Sequence, residues 1–155
     1  KPIANLSGHS LEQYTIHAGK SIPNIWSIGG FSLSENTAYA CEPFVTTEQG
    51  GGFVRNGKIK NIFAINSRKK TKDDEADKLL NFIWENFNML PFALRWITKE
   101  WEEKEARNLL DILVKKKAVQ AYPVLIEVNE QRVAQAEHTF IPTDNGVTVT
   151  TKALT

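Results

Sequence analysis

The sequence contains few of the features that mark disulfide-rich, membrane-spanning or nucleic-acid-binding proteins. Its 155 residues include a single cysteine, Cys41, which excludes an internal disulfide and fits the reducing cytoplasm. The 19 Lys and Arg residues nearly balance the 18 Asp and Glu residues, so the total charge gives no electrostatic reason for binding nucleic acid. The sequence has neither a long apolar run nor a signal peptide, and we therefore expect a cytoplasmic protein without membrane association.

Histidine is also scarce, and two of the three histidines lie close together. His9 and His17 are eight residues apart, and each has a glycine or alanine neighbour, where the backbone can approach a ligand closely. Neutral imidazole is the commonest metal ligand and a ready proton carrier. The spacing matches neither a zinc finger nor the His-Glu-x-x-His motif, so spacing alone leaves a structural role open.

Two carboxylates fall inside segments that have the composition of strands. Residues 37–45 predict one short strand that contains Glu42, and residues 132–139 predict another that places Glu137 on the same face as Gln135. We expect both carboxylates to be at least half buried, which is costly unless they are paired or hold a metal. For Glu42 the alternative is a solvated strand end at the proline that follows. Histidine and glutamate together suit a first-row divalent ion.

Asparagine–glycine pairs and a basic run divide the remaining strand-like segments. Residues 46–60 predict a loop with a hairpin-type turn at Asn56-Gly57, and Asn145-Gly146 predicts a second hairpin. Phe63–Ile65 predicts a strand that ends before Arg68–Lys70, and we interpret that basic run as a solvated linker.

Helical patterns dominate the segment between the two carboxylates. A first helix is predicted to begin near Thr71, Pro91 can open a short second helix, and Lys115–Lys117 suit the end of a third. Two strands, 124–128 and 132–139, are predicted to follow as a pair. This order resembles a winged helix, but its charges are mixed, so we favour packing or a pocket wall over DNA recognition.

Three motifs in this order closely resemble the type II methionine aminopeptidases, especially the archaeal ones. They are Asn5-Leu-Ser-Gly-His-Ser10 with Tyr14-Thr-Ile-His-Ala-Gly19, then Tyr39-Ala-Cys-Glu-Pro-Phe44, then Ala134-Gln-Ala-Glu-His-Thr139. The resemblance implies an α/β (α+β) protein, the C-terminal half of a pita-bread (creatinase/aminopeptidase) fold with a winged-helix-like helical insertion. Residues 1–69 and 123–155 would belong to the catalytic domain, and residues 70–122 to the insertion.

The resemblance also implies an activity, the removal of the initiator methionine from nascent polypeptides by two divalent metal ions (Co, Mn, Fe or Zn). His9, Glu42 and Glu137 fall on the metal-ligand positions of the family, and Glu137 on the bridging one. Glu42 would also carry a proton for the attacking hydroxide, and His17 would contact the substrate near the scissile carbonyl. The expected walls of the methionine pocket are Ile16, Phe44, Pro91 and Tyr122.

Two departures from the family pattern limit what this chain would do alone. Ala136 stands where the family usually has phenylalanine. The family takes two aspartate ligands and a further histidine from its N-terminal half, and this chain begins after them, at Lys1. We therefore expect the chain alone to be inactive and to need that half, on the same or a separate chain.

The alternatives are a non-enzymatic pita-bread binding protein and a winged-helix nucleic-acid binder. The mixed charges make nucleic acid an unlikely partner.

Overall fold

The computed structural model describes residues 1–152, which form two compact units. The first unit comprises Lys1–Asn56 and the chain from Leu125 onward, and the second comprises Gly57–Val124. The described residues form ten strands and three helices. In chain order these are β1 (Ser7–Leu11), β2 (Ser21–Pro23), β3 (Ala38–Cys41), β4 (Phe44–Thr46), β5 (Val54–Ile65), α1 (Asp74–Phe87), β6 (Phe92–Ala93), α2 (Leu94–Ile97), α3 (Glu103–Lys115), β7 (Val119–Glu127), β8 (Val133–Gln135), β9 (His138–Thr143) and β10 (Gly146–Val149).

The first unit contains a five-stranded antiparallel sheet in the order β10-β9-β3-β1-β2 and a separate pair formed by β4 and β8. The strand predicted over residues 37–45 is wrong as a single element, because Glu42 and Pro43 separate β3 from β4. Proline has no N–H to donate to a sheet ladder, so the ladder stops there. Glu42 therefore follows the end of a strand.

The strand predicted over residues 132–139 is also interrupted. Ala136 and Glu137 separate β8, which pairs with β4, from β9, which pairs with β3. Glu137 is therefore not in mid-strand, and it is exposed rather than half buried as expected. The change of partner strand is the physical reason, because the chain must leave one ladder before it joins the next.

The two Asn-Gly pairs have different outcomes. The turn predicted at Asn56-Gly57 is wrong, because both residues lie inside the twelve-residue strand β5. The hairpin predicted at Asn145-Gly146 is confirmed, with Asp144 and Asn145 in the turn and Gly146, at a φ of +133°, opposite Thr143. The strand pair predicted from residues 124–128 and 132–139 is wrong as well, because β7 joins a sheet in the order β6-β5-β7.

Glu127 ends β7 and is buried, with 3 % of its surface exposed. Its carboxylate accepts hydrogen bonds from four backbone N–H groups, two in the glycine loop before β5 and two in the turn after β7. A carboxylate with this many charge-assisted bonds joins two loops that are far apart in the sequence. The donors are Gly51, Gly52, Asn129 and Gln131.

The second unit is built on helices whose ends follow their sequence signals. The Asp73 side chain caps α1 by accepting from Ala76 N, and the Glu102 side chain caps α3. Pro91 does not open a helix, because β6 intervenes before α2 begins at Leu94. The core of this unit consists of apolar side chains from α1, α2, α3 and the sheet, and burial of each Leu, Ile or Phe among them contributes about 1.5–3 kcal/mol. Its most buried members include Leu79, Ile83, Phe92, Ile97, Leu110 and Leu113.

The predicted division into a catalytic part (1–69 and 123–155) and an insertion (70–122) stays a prediction. In the structure β5 carries the chain into the second unit, which begins at Gly57, and β7 carries it out. Within residues 1–152, no helix is both long enough and apolar enough to cross a bilayer.

Candidate active site

His9 and Glu42 come together because β1 and β3 are adjacent strands. His9 lies opposite Ala40, and Glu42 follows the last residue of β3. The His9 Nε2 and Glu42 Oε1 atoms are 2.9 Å apart, and both side chains are only 14 % exposed. Such a nearly buried carboxylate–imidazole contact holds both groups in fixed positions.

Gly8 allows the two strands to approach at this point. A Cβ atom on Gly8 would overlap the carbonyl oxygen of Ala40 and would also lie 3.2 Å from its carbonyl carbon. Glycine is therefore required next to His9 because of close backbone approach.

His17 reaches His9 through a tight reversal of the chain after β1. A bridge between Glu12 and Thr15 turns the chain back, and Ala18 N then donates to Ser10 O at 2.9 Å. The imidazole centroids of His9 and His17 are 4.4 Å apart, with an angle of 69° between the rings. Partial burial lowers the pKa of His17, and the nearby His9 lowers it further. A neutral His17 can either donate or accept a hydrogen bond near neutral pH.

Glu137 approaches Glu42 because the two strand interruptions face each other. Ala136 N in one interruption donates to Pro43 O in the other at 3.2 Å. The Gln135 Nε2 atom lies 3.4 Å from an oxygen of Glu42 and 3.3 Å from an oxygen of Glu137, so its amide donates to both carboxylates. Burial raises the pKa of Glu42, the charge of Glu137 raises it further, and His9 acts in the opposite direction. Two neighbouring carboxylates of this kind favour a proton or a cation between them.

The structure thus brings four of the predicted residues into one region of the first unit: His9, His17, Glu42 and Glu137. Among the described residues, no group of three or more His, Cys, Asp and Glu side chains is arranged as a metal-binding cluster. The amide of Gln135 joins the two carboxylates instead.

The sequence did not predict Gln135 as a site residue, and it predicted that the glycine beside His9 would admit a ligand, whereas the structure shows that it admits the neighbouring strand. For Gln135 a signal existed, because strand alternation placed it on the face of Glu137, but a neutral side chain was not considered as a site residue. His138, the third histidine, makes a different contact from those of His9 and His17. Its Nδ1 is 3.0 Å from the hydroxyl of Thr151.

The predicted pocket walls are divided between the two units. Ile16 and Phe44 lie in the first unit, next to site residues in the chain, and both are half buried. Pro91 and Tyr122 lie in the second unit and are also half buried, and burial raises the pKa of Tyr122. The assignment of these four residues to a methionine pocket stays a prediction.

Known proteins that are similar to this chain carry one name repeatedly. The chain is 41 % identical to a methionine aminopeptidase of Saccharolobus solfataricus, over 99 % of this chain and 51 % of the relative. It is 40 % identical to the methionine aminopeptidase of Methanocaldococcus jannaschii, over 98 % of this chain and 50 % of the relative. The chain is a relative of the archaeal methionine aminopeptidases. The resemblance read from the three motifs is thereby confirmed.

The chain spans about half the length of the methionine aminopeptidases that it matches. Among solved structures it is similar to a thermophilic Arx1, with a TM-score of 0.79 and 20 % identity, over 96 % of this chain and 40 % of that chain. At that identity the likeness concerns the fold alone, and the predicted fold class, one half of a pita-bread fold, is confirmed. No protein-family model matches the chain.

Proposed function

We propose that this chain forms one half of a methionyl aminopeptidase that removes the initiator methionine from nascent polypeptides. The convergence of His9, Glu42 and Glu137 carries the proposal. These residues come from three separate segments, and the contacts of the first unit bring them to one region. The chain is also similar to methionine aminopeptidases. The other half would be the N-terminal half of the same enzyme, supplied on the same or a separate chain. The relatives, about twice as long, support a partner of that size.

The donor types of the site, though not yet their arrangement, suit a divalent metal. One imidazole and two carboxylates are the mixed ligand set that first-row divalent ions take. His9 and Glu42 are already in contact, and Gln135 holds Glu137 beside Glu42. In the proposed enzyme these three residues, with two aspartates from the other half, would hold two ions. Divalent ions bound there would lower the pKa of a coordinated water to about 7.

The side chains of this chain would have separate roles in the reaction. Glu42 is nearly buried, and its raised pKa suits a carboxyl group that takes a proton from the nucleophile and passes it to the leaving amine. His17 lies beside His9, and its lowered pKa favours the neutral imidazole, which can donate a hydrogen bond to the substrate carbonyl. Ile16 and Phe44, which lie close in sequence to site residues of the first unit, would contact the methionine side chain.

Metal content and methionine release together test the proposal. The chain would be assayed alone and after addition of the N-terminal half of the Saccharolobus solfataricus relative, with a Met-Gly peptide and Co²⁺, Mn²⁺, Fe²⁺ or Zn²⁺. We expect no turnover from the chain alone, and methionine release with about two metals per site from the assembled pair. An assembled pair that binds metal but releases no methionine would contradict the proposal.

Glu137→Gln tests the ligand assignment in the assembled pair. Glutamine keeps the size of the side chain and removes its charge, so we expect loss of metal loading and a fall in kcat of at least about 100-fold. Glu48→Gln, at an exposed carboxylate before the glycine loop, is the matched control and should keep both. Unchanged metal content in Glu137→Gln would show that the bridging assignment is wrong.

A further inference from the structure

Basic residues are concentrated in the second unit. Gly57–Val124 contains 14 Lys and Arg residues against 10 Asp and Glu residues, whereas the rest of the chain contains 5 against 8. The near-neutral total therefore conceals a unit with a net charge of +4 and a unit with a net charge of −3. An asymmetry of this kind favours interaction of the basic unit with a polyanion.

Seven of these basic residues belong to two runs that the fold places side by side. One run lies in the loop between β5 and α1, and the other ends α3, 47 positions further along the chain. The backbone N–H groups of Asn66 and Ser67 both donate to Ala118 O, at 2.8 and 3.1 Å. The first run begins directly after Ser67, and the second ends directly before Ala118. We call these seven residues the basic face: Arg68, Lys69, Lys70, Lys72, Lys115, Lys116 and Lys117.

All seven side chains of the basic face are exposed, and among the described residues none of them forms an ion pair. The acidic residues at the beginning of α1 lie next to the first run. Two of them are engaged elsewhere, because Asp73 caps the helix and Asp77 accepts from the N–H and hydroxyl of Thr71. These carboxylates keep their charge, but among residues 1–152 none of them forms an ion pair with the basic face, so its side chains stay available to an external anion.

The basic face is held on a fixed frame rather than on a flexible tail. The guanidinium of Arg68 lies 4.6 Å from the ring centroid of Trp84 on α1. Thr71 is buried, and its bonds to Asp77, at 2.7 and 2.9 Å, tie the loop to the same helix. Charges that are already in place lose less entropy on binding than charges on a disordered segment.

We propose that the basic face binds the phosphate backbone of double-helical nucleic acid without reading its sequence. Lysine is a compact point charge that suits phosphate, and six of the seven residues are lysines. Asn66, Ser67 and Gln120, which border the runs, are exposed polar residues that can hydrogen-bond phosphate or sugar oxygens. No apolar side chain lies within either run, whereas surfaces that insert into membranes pair their basic residues with Trp, Phe or Leu. The proposal does not depend on the proposed peptidase activity.

Fluorescence anisotropy with a labelled RNA duplex and a labelled DNA duplex tests the binding. We expect Kd values of about 10⁻⁴–10⁻⁶ M at physiological salt. The logarithm of the association constant should fall linearly with the logarithm of the KCl concentration. Anionic phosphatidylserine vesicles serve as the competing polyanion. No binding of either duplex at 50 mM KCl, or tighter binding to the vesicles than to both duplexes, would overturn the proposal.

A matched pair of charge reversals separates the basic face from the net charge. Lys69→Glu with Lys116→Glu replaces one positive charge by a negative charge in each run. Lys99→Glu with Lys104→Glu makes the same charge change near the N-terminal end of α3. We expect about tenfold or greater weakening and a salt slope smaller by about 2 for the first pair, and less than about twofold weakening for the second. Equal weakening by both pairs, with both variants folded by circular dichroism, would refute the proposal.

Discussion

Replacement of Gly8 by alanine tests the close approach of β1 and β3 that brings His9 to Glu42. The added Cβ would overlap Ala40 O and lie 3.3 Å from Cys41 Cα, whereas real Cβ atoms stay at least 3.0 Å from other heavy atoms. Since the obstacle is backbone, β3 must move away from β1 by about 1 Å to reach ordinary contact distances. Glu42 follows β3 directly and would move with it.

Such a shift has two measurable consequences. The 2.9 Å contact between His9 and Glu42 would exceed the roughly 3.2 Å limit of a good hydrogen bond, and a misplacement of about 1 Å can lower a rate about 100-fold. Overpacking at a strand contact also destabilises a fold by about 1–3 kcal/mol. We therefore expect Gly8→Ala to lower both kcat/KM of the assembled enzyme and the unfolding midpoint of the chain in urea.

Gly30→Ala is the matched control for this experiment. A Cβ on Gly30 meets no atom within 4 Å, and its backbone φ is not in the left-handed region, so stability should stay within about 1 kcal/mol of wild type. If Gly8→Ala kept wild-type kcat/KM and urea midpoint, the strands would tolerate a side chain at that position. The account of how His9 meets Glu42 would then be refuted.

Three further predictions concern other parts of the molecule. Burial alone would raise the pKa of Glu127, but its four backbone hydrogen bonds bring it below the ordinary 4.5. Its contribution to stability should be present above the ordinary pKa of 4.5 and lost as the pH falls through the lower folded pKa, so the melting temperatures of wild type and Glu127→Gln should draw together as the pH falls below 4.5. Gln135→Ala should weaken Mn²⁺ binding by the assembled enzyme about tenfold in calorimetry, because a residue that orients the ligands is lost; unchanged affinity would exclude that role. Leu113→Ala, at a fully buried site on α3, should cost about 2–5 kcal/mol in urea unfolding, whereas exposed Asp111→Ala should cost less than about 0.5.

Local signals predicted the helices well. The start of α1 follows from Thr71 and the acidic residues after it, and the end of α3 follows from the lysine run, because caps and helix dipoles involve residues a few positions apart. The helix predicted to begin at Pro91 was wrong because proline is equally compatible with the extended chain that enters β6.

Strand boundaries were predicted less well because they depend on partners far away in the sequence. Asn56-Gly57 has the composition of a turn, yet β5 passes through it because the sheet with β6 and β7 holds it extended. The interruption at Glu137 follows from the change of partner from β4 to β3. Neither cause can be read from the residues next to it.

The sequence by itself determined which residues could form the site and which family the chain resembles, because side-chain chemistry and motif order are local properties. Only the tertiary structure decided that two facing strand interruptions bring Glu42 and Glu137 to the same glutamine amide. It also decided that two basic runs, unremarkable when they are 47 positions apart, form one surface. Both results depend on pairing between distant segments, because hydrogen bonds need heavy atoms about 3 Å apart and exposed charges are screened beyond about 10 Å, whatever the separation along the chain.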